Sequence, residues 1–134
     1  MKRKDVCVDL DGVLAYYDTW KGLDHIGDPI PGAKEFLETI AEHANVVIFT
    51  TRGNGTINRP EGVEDVPQEL AKKIKTWLDK HGMTYHTIYT GQGKPLADAY
   101  VDDRAVTCRP QEYSEAYSDA WAQVKKYAKL EIPQ

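Results

Sequence analysis

Val6-Cys7-Val8-Asp9-Leu10-Asp11-Gly12 is a short, β-rich apolar run that stops in two carboxylates and a glycine. That pattern predicts a strand that breaks into a loop. Three later runs repeat it. Asn45-Val46-Val47-Ile48-Phe49-Thr50 is continuously apolar until Thr50 and gives way to Thr51-Arg52-Gly53. Thr84-Tyr85-His86-Thr87-Ile88-Tyr89-Thr90 leads to Gly91-Gln92-Gly93, with Lys94 just beyond, and Ala97-Asp98-Ala99-Tyr100-Val101 leads to Asp102-Asp103-Arg104. Between these runs the apolar period changes to that of a helix. Ala33, Phe36, Leu37, Ile40 and Ala41 form one stripe; Leu70, Ile74, Trp77 and Leu78 form another within about 67–81, with Gly82 placed to end it. A third stripe, Tyr113, Ala116, Tyr117, Ala120, Trp121 and Val124, predicts a helix over about 111–129. Apolar runs suggest strands buried on both faces, and intervening helices suggest right-handed βαβ crossovers. The expected fold class is α/β, three-layered, with a mostly parallel sheet.

Length and composition set the outer bounds. The chain has 134 residues, the size of one domain, so 1–134 is expected to form a single unit. Seventeen Lys+Arg against 21 Asp+Glu give a net charge of −4, which argues against a nonspecific coat on nucleic acid. No apolar run approaches the ~20 residues of a membrane span, so no membrane partner is expected. Asp5 and Asp9 interrupt the apolar stretch that an export signal would need. Cys7 and Cys108 lack metal-site spacing and cannot staple a small fold, which fits a cytoplasmic protein.

In open α/β sheets, ligands bind beyond the carboxyl ends of the strands. Those ends carry Asp9 with Asp11, Thr50 with Arg52, Lys94, and Asp102 with Asp103. Carboxylate oxygens suit a hard cation such as Mg²⁺. Carboxylates, a cation, a lysine and a hydroxyl together suit a phosphoryl group, whose transfer depends on positioning and charge neutralisation. In this reading Asp9 is the nucleophile and forms an aspartyl-phosphate. Asp11 protonates the leaving alcohol and then takes a proton from the hydrolytic water. Thr50 and Lys94 hold the phosphoryl oxygens. The metal is held by Asp9, a backbone carbonyl at Asp11, and Asp103, with Asp102 as a further oxygen source.

The motifs Asp9-Leu10-Asp11-Gly12-Val13-Leu14, Thr50, Lys94 and Tyr100-Val101-Asp102-Asp103-Arg104 resemble, in order, the four motifs of haloacid-dehalogenase (HAD) superfamily phosphohydrolases. The likeness covers about residues 4–108. It implies a Rossmann-like sheet, Mg²⁺ as cofactor and the two-aspartate mechanism. It also favours Asp103 as the metal ligand and gives Asp102 an orienting role beside Lys94. Neither residues 12–44 nor 51–93 have room for a cap domain. The chain therefore resembles a capless member, whose relatives act on macromolecular phosphates or close the site with a neighbouring subunit. Thr50-Thr51-Arg52 and Asp102-Asp103-Arg104 are similar to the 3′-phosphatase domains of polynucleotide kinases. The expected partner is thus a phosphorylated substrate, a nucleotide or nucleic-acid end, with homo-oligomerisation as one way to cover the site.

Gly12, Thr51, Arg52 and Arg104 are the candidate substrate contacts. Either arginine could instead make an ordinary surface ion pair. The glycine-rich loop 53–66 is either a lid or a surface excursion. Tyr16-Tyr17-Asp18-Thr19-Trp20 could stack a base or pack over the sheet edge. The aromatic stripe of the last helix is core or a dimer face. Two other functions compete: a phosphoacceptor module of the response-regulator receiver type, and a silent Mg²⁺- or phosphate-binding protein. A receiver carries its acid pair on the first strand and its phosphorylated Asp on a middle one. Here the nucleophile pair comes first and Asp102-Asp103 last.

Overall fold

The computed structural model describes residues 3–19, 21, 25–50, 66–89 and 95–130. Its contacts divide the chain into two units, Met1–Asp103 and Arg104–Gln134. The first unit contains β1 (Asp5–Asp9), α1 (Ala33–Ala41), β2 (Asn45–Phe49), α2 (Val66–Lys80), β3 (Thr87–Tyr89) and β4 (Ala99–Val101). The four strands form one sheet in the order β3-β2-β1-β4, and every neighbouring pair is parallel. This is a Rossmann-like α/β architecture, and no large cap interrupts it among the described residues.

Burial alternates along β2 but not along β1, where the neighbours Cys7 and Val8 are both buried. In β2, Val46 and Ile48 are fully buried while Val47 and Phe49 are half-buried. The inner face of the sheet, Val8, Val46 and Ile48 with Ile88 and Val101 at its margins, packs in one cluster with Leu37 of α1 and with Leu70, Ile74, Trp77 and Leu78 of α2. On the opposite face of β1 Cys7 is buried as well, while the hydrophobic cluster lies on the face that meets α1 and α2. Phe36, expected in the α1 stripe, is 40% exposed because it stands at one margin of the apolar arc.

Polar contacts set where the strands start. Arg3 Nη2 donates to the carbonyls of Ala41 and Ala44 at 2.6 and 2.9 Å, tying the end of α1 to the chain entering β1. The Asp5 N–H donates to Asp98 Oδ2 at 2.8 Å, and the Asp98 N–H donates back to the Asp5 carbonyl at 2.9 Å. That pair pins β4 beside β1 with Val8 opposite Val101. One residue further along, Asp9 ends β1 and Asp102 follows β4.

Helix α2 ends as its sequence predicts. Gly82 has φ +67°, Gly82 N–H donates to Asp79 and Met83 N–H to Leu78, and both Leu78 and Met83 are buried. This is the Schellman arrangement with its hydrophobic contact.

The second unit contains α3 (Ala116–Tyr127). It begins five residues later than the apolar period predicts, because Glu112 and Tyr113 close turns back onto the Arg109 carbonyl first. Of its expected stripe, Ala116 is fully buried whereas Tyr113, Tyr117 and Trp121 are exposed, so the aromatic members are not core. No helix among the described residues is long and apolar enough to cross a membrane.

Candidate active site

The acid turn is built on two leucines. Leu10 and Leu14 are both fully buried, and the Leu10 carbonyl accepts the N–H groups of Leu14 and Ala15 at 3.0 Å. Between these anchors Asp11, Gly12 and Val13 are lifted out as a tight turn, closed by Gly12 N–H donating to the Ala15 carbonyl at 2.8 Å. Asp9, last in β1, is half-buried, and its Oδ1 accepts the Leu10 N–H at 2.9 Å, which orients the carboxylate.

Asp102 and Asp103 reach the same place from β4. One carboxylate oxygen from each of Asp9, Asp102 and Asp103 lies within 4.8 Å of the others. Gly12 makes room for this. It has φ +86°, and a Cβ there would fall on Asp103 Oδ2 and stand 2.7 Å from its Cγ. Only a glycine meets both requirements, positive φ and a carboxylate lying against the backbone.

Crowding shows in the proton affinity of Asp9. Its carboxyl is pushed up from 3.8 to about 7, chiefly by burial, then by Asp102 and Asp103 and more weakly by Asp11, against the lowering effect of the Leu10 N–H. Three such oxygens at this separation, one seated against a glycine, fit the oxygen-only donor set of a Mg²⁺ site. Asp9, Asp102 and Asp103 would hold the ion.

Thr50 directly follows Phe49, the register partner of Asp9, and is 2% exposed. Its hydroxyl is thus at the same sheet edge and nearly sealed from bulk water. The Asp11 carboxylate stands outside the three-oxygen cluster, and the metal contact expected at that residue is its backbone carbonyl. Asp102 belongs to that cluster as fully as Asp103 does. Lys94, Thr51, Arg52 and the stretch 53–65 of the loop lie outside the described residues. Arg104 opens the second unit.

No family model matches the chain, and no curated protein does. The chain is similar to a crystal structure of a target protein from Vibrio cholerae, with 29% identity over 92% of this chain and 98% of that one. The TM-score of that pair is 0.48, which carries no argument about fold or activity.

Sequence reading missed the loop that follows the acid turn. Ala15 and Pro29 are antiparallel bridge partners, and residues 14–16 and 28–30 close into the base of a hairpin. The aromatic run Tyr16-Tyr17 was legible. The signal for the returning limb was Gly27-Asp28-Pro29, too short to declare a pairing partner.

Proposed function

We propose that this chain is a Mg²⁺-dependent phosphomonoester hydrolase of the HAD kind that its motifs resemble, working through an aspartyl-phosphate on Asp9. The observation that supports it most is the convergence of Asp9 with Asp102 and Asp103, more than 90 residues away in the chain, on one space at the carboxyl ends of β1 and β4.

The chain's own groups account for both steps. An Asp9 carboxylate oxygen attacks phosphorus, and the bond from phosphorus to the leaving oxygen breaks as Asp11 gives that oxygen its proton. Asp11 then removes a proton from water, the water oxygen bonds to phosphorus, and the phosphorus–Asp9 bond breaks to release inorganic phosphate. Thr50 donates its hydroxyl to a phosphoryl oxygen, and Lys94 is assigned the same task. Bound Mg²⁺ would neutralise charge on the phosphoryl oxygens and among the three carboxylates. The substrate class we favour is a nucleotide or polynucleotide-end phosphate, on the likeness of Thr50-Thr51-Arg52 and Asp102-Asp103-Arg104 to polynucleotide 3′-phosphatase domains.

Purified protein should release phosphate from p-nitrophenyl phosphate with Mg²⁺ and stop when the metal is chelated. Asp9→Asn should lower turnover roughly a thousandfold or more while the circular dichroism spectrum is retained. Near-normal turnover by Asp9→Asn would end the proposal of covalent catalysis by that residue.

A further inference from the structure

The hairpin that leaves the acid turn is held on three sides. The Tyr16 N–H donates to the Asp28 carbonyl and the Ile30 N–H to the Leu14 carbonyl, both at 2.9 Å. Gly27 lets the limbs close, because a Cβ there would fall on the Tyr16 carbonyl oxygen. From the core side, the indole N–H of Trp77 on α2 donates to the Gly27 carbonyl at 3.0 Å. The base of the hairpin is therefore rigid.

Beyond that base, Tyr16, Tyr17, Asp18, Lys21, His25 and Asp28, among others, line an open cavity of about 410 Å³. Small-molecule pockets run from ~300 to 1,000 Å³. Three of these side chains are rings, and Tyr16 is 57% exposed. The charges largely cancel. Lys21 Nζ is 3.4 Å from Asp18 Oδ1, and Asp28 adds a second acid, so an additional phosphate meets no positive field here. A flat, uncharged ring suits such a wall better than an anion or a bare polyol.

The cavity also starts next to the chemistry. Ala15 is the bridge partner of Asp11, its carbonyl accepts the Gly12 N–H, and Tyr16 is the next residue, one Cα step of about 3.8 Å away. We propose that this cavity receives the leaving group of the substrate, and that the group carries a flat aromatic ring stacked on Tyr16. The assignment rests on the phosphomonoesterase reading for the words leaving group; the ring preference stands on the cavity itself. A nucleobase and a simple aryl ring share that chemistry.

The test uses probes without phosphate, so that it is separate from catalysis. Full-length isotope-labelled protein is titrated with adenosine, phenol, ribose and cyclohexanol while amide shifts are followed. Adenosine, or adenosine and phenol, should shift resonances within 16–28, and ribose and cyclohexanol should not. A response to adenosine alone identifies a nucleobase pocket, and a response to both identifies a general aryl pocket. Tyr16→Ala should weaken binding roughly tenfold or more, the scale of one base–aromatic stack, and Tyr16→Phe should restore it.

Equal shifts from cyclohexanol and adenosine, no shift from either aromatic probe, or unchanged affinity in Tyr16→Ala would each overturn the cavity assignment. Adenosine binding at this loop in a protein that hydrolyses no phosphomonoester would instead refute the phosphatase reading and leave the ring pocket standing. Hydrolysis with the same KM for phenyl and cyclohexyl phosphate would do the reverse.

Discussion

Asp9 illustrates how burial and neighbouring acids destabilise one carboxylate. With its proton affinity raised from 3.8 to about 7, the folded chain keeps a proton there that the unfolded chain has already lost. The native state then binds more protons than the unfolded one between those values, so this group's contribution falls as pH rises through that window and is flat above it. The penalty is no more than a few kcal/mol, because the half-exposed carboxylate is screened by water. Chelator-treated wild type should lose more thermal stability between pH 5 and pH 8 than Asp9→Asn does, and Mg²⁺ should return the difference at pH 8; parallel melting curves would refute the shift. Gly12 makes a second test at this scale. Gly12→Ala combines a strained φ with a Cβ on Asp103 and should cost about 1–3 kcal/mol in urea unfolding. In the double variant with Asp103→Ala the clash is gone, so the two effects should fall short of adding. Strict additivity would place Asp103 elsewhere.

At the level of elements, the two helix ends present the same hydrogen bonds with different residues. Helix α2 closes through Gly82, whereas α3 closes through Lys129 at φ +54°, with Leu130 N–H donating to Lys125 at 3.0 Å and Lys129 N–H to Lys126. A left-handed conformation costs a side-chain-bearing residue ~1 kcal/mol or more that glycine avoids. Lys129→Gly should therefore slow amide exchange at Leu130, and Gly82→Ala should destabilise the chain by about 1 kcal/mol. If Lys129→Gly sped that exchange, the αL cap would be wrong. Lys125 and Lys126 also sit at the negative end of the α3 dipole, which supports the last turn.

Across the whole first unit, the parallel sheet is what turns sequence separation into contact. β1 has β2 on one side and β4 on the other, so the first strand among the described residues stands beside the last. The Asp5–Asp98 hydrogen bonds fix that neighbour relation at the opposite end of the strands from the carboxylates. Asp98→Ala removes one of them and should loosen β4 by about 1 kcal/mol. If the three carboxylates hold Mg²⁺ as proposed, the expected result is an affinity reduced several-fold in calorimetric titration, although Asp98 lies at the opposite end of the strands from them. Unchanged affinity would show that the β1–β4 backbone ladder alone holds Asp102 and Asp103 in place.

Local order was legible because it depends on neighbours in the chain. The helical stripes of α1 and α2, the glycine end of α2 and the polar ends of the strands follow from side-chain period and backbone conformation. β3 came out shorter than its apolar run, since residues 84–86 precede its ladder with β2 and His86 Nδ1 there accepts the Val46 N–H at 2.8 Å. The one-dimensional pattern placed Asp9, Asp102 and Asp103 at one sheet edge, but it could not assign the distances between their oxygens. Asp11 is two residues from Asp9 yet its side chain stands outside the carboxylate cluster, while Asp102 and Asp103 enter it through strand pairing. Nor could it show that Gly12 is the floor under Asp103, or that Tyr16, Tyr17, Lys21, His25 and Asp28 line one cavity. Those facts depend on distances across the sheet and between loop limbs, which burial and hydrogen bonding set only when the whole unit packs.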